Sequence, residues 1–447
     1  MTTITRHGAL VQVSDEIKKE LTVRPLSHDI PAPSFKVYRQ YTLHKSLLIP
    51  RYYAYEKFGP PAKELRDNPT ICRGITFTGN LRTSTRQPEA FAAGIKAFEE
   101  VGGGVLSLPC GFGKTTVALA LSAHLKVRTI IVVHKEFLAN QWTEKIKEFC
   151  PGATIGRIQG SIFDIEKDFV IALIQTMSMR EFDRRAFDSI GLLIVDEAHH
   201  IGAPAFSQFM FKICPKYTLG LTATPERKDG LTRLLYWFLG PEFFRVERTA
   251  EKSTRVTTVH YKSETFKEAP PVTRFGKINM AAMVSSVSEL QDRNALIVKI
   301  IHECLCKNRR ILVLSDRREH CFELQRTLGS IAGLYIGGLK EAELEETARK
   351  SVVVATFQLA HEGLDIPVLD TVILATPKSD IKQSIGRIMR ETPGKLNSPL
   401  IFDIVDHWSV FFSMYNKRRS VYRQSGFVME ESPPEAEVFG KGKCMFT

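Results

Sequence analysis

The sequence predicts an α/β protein with two parallel-sheet domains in tandem behind a small N-terminal accessory domain. Three observations carry this reading. From about residue 85 to 245, apolar runs of strand length alternate with helical patterns, the rhythm of a parallel sheet covered by helices on both faces. The same rhythm returns after about residue 293. A chain of 447 residues, with 43% apolar and 25% charged side chains, is also long enough to bury two or three separate cores.

The expected organisation is an accessory domain over 1–80, a first α/β domain over 81–247, a connector over 248–292 and a second α/β domain over 293–447. Residues 1–80 hold short β-prone runs broken by prolines, as in Ile30-Pro31-Ala32-Pro33 and Leu47-Leu48-Ile49-Pro50, which suits strands and turns. Their interleaved Arg, Lys and Tyr side chains fit either the core and rim of a β module or stacking on nucleic acid. The first α/β domain has strand-like runs at 105–108, 129–133, 169–174 and 192–195, with a helix after the second running through Trp142 and Ile146. The second has them at 311–314, 351–355 and 371–375. The connector carries few strong patterns beyond a helical piece at 280–290, and from Glu430 onward the chain reads as a flexible tail.

Composition excludes some classes. No apolar run reaches 18 residues, so no membrane span is expected, and the N-terminus lacks the apolar centre of a signal peptide. The eight cysteines form no Cys-x-x-Cys pair, which favours buried or free thiols in a reducing, intracellular compartment over zinc. The net charge of +12 divides as +5 over 1–80, +4 over 81–292 and +3 over 293–447. Such a spread suits a polyanion bound across several domains, and equally a plain soluble protein of basic pI.

The chemistry centres on Pro109-Cys110-Gly111-Phe112-Gly113-Lys114-Thr115-Thr116, between the 105–108 strand and a helix. Small residues let the backbone close round an oxyanion, with inward amides and the positive end of the helix facing it. Lys114 would reach the β and γ phosphates of ATP, and the Thr115 hydroxyl would take a position on Mg²⁺. The usual pattern asks for glycine where Leu108 stands. Asp196-Glu197-Ala198-His199 follows the 192–195 strand, at the edge where parallel sheets display catalytic groups. Asp196 would hold Mg²⁺ and Glu197 would orient and deprotonate water. Thr222-Ala223-Thr224 follows a further apolar run and offers hydroxyls to link sites. Gln383-Ser384-Ile385-Gly386-Arg387-Ile388-Met389-Arg390 sets two arginines three apart on one helical face, suited to the γ phosphate of ATP bound between the two domains.

In this order the residues resemble the superfamily 2 helicases over about 85–428, a family that does not require the first loop glycine. The resemblance supplies the remaining motifs: His134 to Trp142, Gln175-Thr176, Leu312 to Arg318, and Thr356 with Gly363 and Asp365. Leu108-Pro109-Cys110, Gln141-Trp142 and the Asp-Glu-Ala-His box look like the XPB and UvsW group. The run 221–230, with 47–51 and 403–427 including Arg419 and Tyr422, is similar to helicases of phages and large DNA viruses, the poxvirus transcript-release type above all.

What the resemblance implies is two RecA-like domains that close on ATP and Mg²⁺ and move along DNA 3′ to 5′. It makes Lys114, Asp196, Glu197, Arg387 and Arg390 catalytic, and Gln87, 109–116, Gly363 and Asp365 ATP-binding. His199, Thr222, Thr224 and Gln383 would couple the sites. His134, Gln141, Trp142, Gln175, Thr176, Ser315, Arg317 and Thr356 would touch single-stranded or forked DNA. Transcription or replication machinery is the expected protein partner. A monomer fits, and a viral source would place the protein in infected-cell cytoplasm or nucleus and in the virion. Remodelling of transcription complexes on intact duplex, unwinding of RNA, and a binding scaffold with a dead motor stay open as alternatives.

Overall fold

The computed structural model describes residues 2–26, 33–41, 45–109, 111–198, 203–223, 229–246, 254–363, 366, 368–381, 385 and 397–431. The chain divides into two compact units, Met1–Glu247 and Arg248–Thr447.

The first unit begins with a small five-stranded sheet. Its strands are β1 (Thr3–Thr5), β2 (Gly8–Gln12), β5 (Arg39–Tyr41), β6 (Ser46–Ile49) and β7 (Lys63–Glu64), in the order β5-β6-β2-β1-β7. β3 (Thr22–Val23) and β4 (Phe35–Lys36) pair beside it. Two helices, Asp15–Glu20 and Arg51–Phe58, also lie in this stretch, and residue 80 marks no break in packing. Ile4, Leu47 and Ile49 share one buried core with Val132, Leu193 and Trp237 of the α/β region. Arg51 is 2% exposed and donates to the carbonyls of Pro215 and Lys216 at 2.9 and 3.0 Å, and to Thr218 Oγ1 at 3.1 Å. Tyr52 and Tyr53 are buried, so the aromatic run 52–53 is core.

The main sheet of this unit has eight strands in the order β11-β10-β12-β9-β13-β14-β8-β15. They are β8 (Gly103–Ser107), β9 (Thr129–Val133), β10 (Ile155–Gln159), β11 (Ile162–Phe163), β12 (Phe169–Leu173), β13 (Leu192–Asp196), β14 (Tyr217–Thr222) and β15 (Glu242–Arg245). All pairings are parallel except that of β11, which turns back on β10. Strand residues alternate between two cores: Val105, Val132 and Val195 on one face, Leu106, Val133 and Ile194 on the other. Burial on both faces explains why these runs are continuously apolar. The loops after β8, β9, β12, β13 and β14 all leave the same carboxyl edge, and this brings together motifs scattered through the sequence.

The second unit holds a seven-stranded, all-parallel sheet in the order β18-β19-β17-β20-β21-β16-β22. Its strands are β16 (Arg255–Tyr261), β17 (Ile311–Ser315), β18 (Ala332–Tyr335), β19 (Val352–Thr356), β20 (Thr371–Leu374), β21 (Leu400–Asp406) and β22 (Val428–Glu431). Here the structure corrects two expectations. Residues 248–292 are not a mere connector, because β16 pairs along all seven of its residues with β21 and lies inside the sheet. Glu430 and Glu431 do not begin a tail, because they complete β22 opposite Thr257 and Thr258. The helical piece expected at 280–290 is the helix Met280–Ser288.

Buried ion pairs pin this unit, among them Arg293–Asp406 and Arg418–Asp403. Arg293, on the helix Gln291–Cys306, meets Asp406 through Nε (2.7 Å) and Nη2 (2.9 Å), with Nη1 donating to Ala375 O at 2.8 Å. Arg418 meets Asp403, which also accepts from the Tyr422 hydroxyl at 2.9 Å. Bidentate geometry satisfies both oxygens and the planar guanidinium together. Among the described residues no helix is long and apolar enough to cross a membrane.

Candidate active site

The phosphate loop leaves β8 and re-enters regular structure at the helix Lys114–Leu125. Gly111 and Gly113 sit at φ +85 and +80, a backbone region that L side chains rarely enter. At Gly113 a Cβ would also stand 2.4 Å from Gln87 Nε2, so a side chain there adds displacement of that amide to the backbone strain. Ala in its place should cut ATP affinity at least tenfold by titration with a fluorescent ATP analogue, and trimming Gln87 to Ala in the same chain should recover only the part due to the clash.

Gln87 is wholly buried, its amide donating to Phe112 O at 2.9 Å and accepting from Arg82 N at 2.9 Å. Both ends of the amide are thus engaged in shaping the loop. Arg82 adds a bond from Nη2 to Gly111 O at 3.2 Å. Thr115 and Thr116 occupy the first helical turn, half-buried. Pro109 accepts from Phe112 N at 3.2 Å, while Cys110 lies outside the described residues.

Lys114 Nζ donates to Leu108 O at 3.2 Å and stands 3.6 Å from Glu197 Oε1. Glu197 follows directly on β13 with φ +46, a strained turn for a non-glycine residue. Its neighbour Asp196, 8% exposed, accepts from Glu197 N at 2.9 Å and from Trp142 Nε1 at 2.8 Å. Burial pushes the Asp196 carboxyl up to about 6 and the Glu197 charge adds to this, while the indole bond and Lys114 pull it down. One cation and two carboxylates thus converge at the carboxyl edge of β8 and β13. Thr222, fully buried at the end of β14, joins this edge to the loop, its carbonyl accepting from Leu108 N at 3.1 Å.

Trp142 was expected to touch nucleic acid, and its place is different. It is 2% exposed, on the inner face of the helix Glu136–Phe149 with Leu138, Ala139 and Ile146. The spacing 138, 139, 142 and 146 already marks that face as apolar, a signal the residue type obscures. Gln141, on the same helix, and His134, just after β9, are half-buried. Gln175 is exposed at the start of the helix Ile174–Met179, and Thr176 Oγ1 accepts from Gly160 N at 3.0 Å.

In the second unit Ser315 is fully buried, bonded to His320 Nδ1 at 3.0 Å and accepting from Arg317 N at 3.0 Å. The Arg317 guanidinium binds Ser285 Oγ at 3.0 Å and Ala281 O at 2.6 Å, on the helix Met280–Ser288. Ser315, expected on nucleic acid, is thereby turned into the interior, while Arg317, half-buried, braces the loop after β17. Thr356 stays partly open at the end of β19, and Gly363 closes the helix Phe357–Gly363. His199, Thr224, Asp365, Gln383, Arg387 and Arg390 lie outside the described residues.

Comparison with known proteins agrees with this geometry. The family described as "Type III restriction enzyme, res subunit" matches residues 80–227, the span holding the phosphate loop and the Asp196–Glu197 pair. A putative ATP-dependent RNA helicase of Acanthamoeba polyphaga mimivirus is 34% identical over 445 residues, covering 95% of this chain and 85% of that protein. The chain is a viral-type superfamily 2 helicase. A putative helicase of Invertebrate iridescent virus 6 is 26% identical and covers 73% of this helicase and 77% of its own length. Among solved structures, S. cerevisiae Dbp5 bound to RNA and ADP BeF3 aligns with TM-score 0.55 and 14% identity over 79% of this chain and 90% of that one, a likeness of fold with its RecA-like domains. As a member of this family the helicase is a nucleic-acid-dependent ATPase.

Proposed function

We propose that this helicase is a DNA motor that uses Mg²⁺ and ATP to move 3′ to 5′ and separate strands. The observation that carries the ATPase half is the convergence of Lys114, Asp196 and Glu197 on the edge where the Gly111–Gly113 turn opens. The residues fit the nucleotide and its metal. The loop has the backbone of an anion cradle, and Thr115 and Asp196 offer the hard oxygens that Mg²⁺ takes. Bound there, the metal supplies charge compensation to the phosphates.

The chain's own groups do the rest. Phosphate oxygens compete with Glu197 for the Lys114 ammonium, so substrate binding draws it away and leaves the Glu197 carboxylate to take a proton from water. Trp142 and Glu197 N orient Asp196 through its two oxygens. Arg387 and Arg390 keep their proposed role in compensating γ-phosphate charge, and His134, Gln141, Gln175, Thr176 and Thr356 theirs as phosphate-backbone contacts largely indifferent to sequence.

DNA is favoured by Leu108-Pro109-Cys110 and Gln141-Trp142, the features shared with the XPB and UvsW group. RNA is the second reading, favoured by the name of the mimivirus relative. The deciding experiment is ATP hydrolysis without nucleic acid and with single-stranded DNA, forked DNA, duplex DNA and RNA. Stimulation by DNA above RNA supports the proposal, and the reverse overturns its substrate. Strand displacement beside triplex displacement then separates unwinding from movement on intact duplex.

A further inference from the structure

Trp142 joins two elements with different tasks. Its helix starts right after β9 at the carboxyl edge, with Lys135 as its cap, next to His134 and carrying Gln141. At Trp142, about 9 Å along the helix axis from its first residue, the same rod donates its indole N–H into the carboxylate of Asp196. The helix is braced along the way. Arg157 of β10 donates to Asn140 Oδ1 at 3.1 Å and lies 3.6 Å from Glu136 Oε1. Leu138, Ala139, Trp142 and Ile146 are packed into the core, so the helix moves as one piece.

At the other end, Asp196 is held by one bond on each oxygen, the indole on Oδ2 and the Glu197 amide on Oδ1. Together they fix the plane of the carboxylate. Any displacement of the helix changes the indole bond first, and with it the direction of the remaining lone pairs. Outer-shell partners of this kind typically alter metal affinity by about 10- to 100-fold when removed. An N–H bond to a buried charged carboxylate is also among the stronger hydrogen bonds a side chain makes.

We propose that the Trp142 indole is the positioning contact through which nucleic acid bound at the Glu136–Phe149 helix tightens metal–nucleotide binding at Asp196. This rests on the functional reading above, in which that helix borders the track and Asp196 holds the metal. The coupling is reciprocal, so metal–nucleotide binding must tighten the grip on the strand by the same factor.

The test removes the donor while keeping the shape. In the full chain, β-(3-benzothienyl)alanine is installed at position 142 by codon suppression, a sulfur replacing the N–H; W142F is the companion variant. Mn²⁺ binding in the presence of AMP-PNP is followed by EPR, with and without oligothymidylate, and folding is checked by the emission of Trp237 and Trp408. In the wild type, the oligonucleotide should raise Mn²⁺ affinity severalfold. The sulfur isostere should bind Mn²⁺ roughly tenfold more weakly and show no oligonucleotide effect, although a merely packed ring would lose neither. An isostere that keeps the wild-type ratio overturns the coupling, as does a wild type whose Mn²⁺ affinity ignores the oligonucleotide. Hydrolysis assayed in parallel keeps the two readings apart. Wild-type ATPase unmoved by any nucleic acid sinks the motor itself, whereas stimulated ATPase with an unchanged ratio in the isostere sinks only the role of Trp142.

Discussion

Replacing Glu197 with glutamine should slow nucleic-acid-stimulated ATP hydrolysis by about 10²- to 10⁴-fold, the contribution of a positioned general base, while ATP affinity stays near that of the wild type. Glutamine keeps the size and one oxygen of the side chain but cannot accept the proton. It also removes the anion that lies 3.6 Å from Lys114 Nζ, so the phosphates no longer compete with Glu197 for the ammonium. K114A should behave differently and lose both affinity and turnover, because the cation that meets the phosphates is gone. Steady-state hydrolysis paired with nucleotide titration distinguishes the two patterns. Wild-type turnover in E197Q would reassign the base.

Breaking the Arg293–Asp406 pair should destabilise the second unit by about 3–5 kcal/mol. Both side chains are fully buried, and the guanidinium fork reaches β21 through Asp406 and the end of β20 through Ala375 O. D406A leaves a buried cation with no counter-charge, which is costlier than the loss of the bond itself. The paired replacement R293M with D406L removes both charges and should restore most of the loss. Hydrogen exchange of the β17, β20 and β21 amides measures this locally and does not require the two units to unfold together. Unaltered protection in D406A would show that water or another group reaches the Arg293 site.

The first sheet could be read from the sequence because its strands are buried on both faces, and runs such as 129–133 and 192–195 are apolar without interruption. The phosphate loop and Asp196–Glu197 could be read because their chemistry fixes residue types at short spacing. β16 escaped, although Arg255-Val-Thr-Thr-Val-His-Tyr is rich in β-branched side chains. Its polar positions resemble a linker, and only the distant partners β21 and β22 give it a place. Trp142 and Ser315 turn inward for a related reason. Indole and hydroxyl suit nucleic acid in isolation, and whether they face out or in is decided by tertiary packing. Gln87 is engaged at closer range, its amide held by backbone groups of Arg82 and Phe112.

The position of β16 also bears on how the chain is made. The first unit has its last strand, β15, by residue 245, so it can close on itself while the ribosome is still at work. The second unit closes later. β16 emerges next, yet its neighbours on either side, β21 and β22, are synthesised only from Leu400 and Val428 onward. At bacterial to eukaryotic elongation rates the strand waits on the order of ten seconds with both edges unpaired. Its apolar positions Val256 and Val259 are open to strangers during that interval. Chaperone demand and low-temperature expression yield should therefore track this one strand, and a charge placed on its path would be felt in the cell before it is felt in the folded protein.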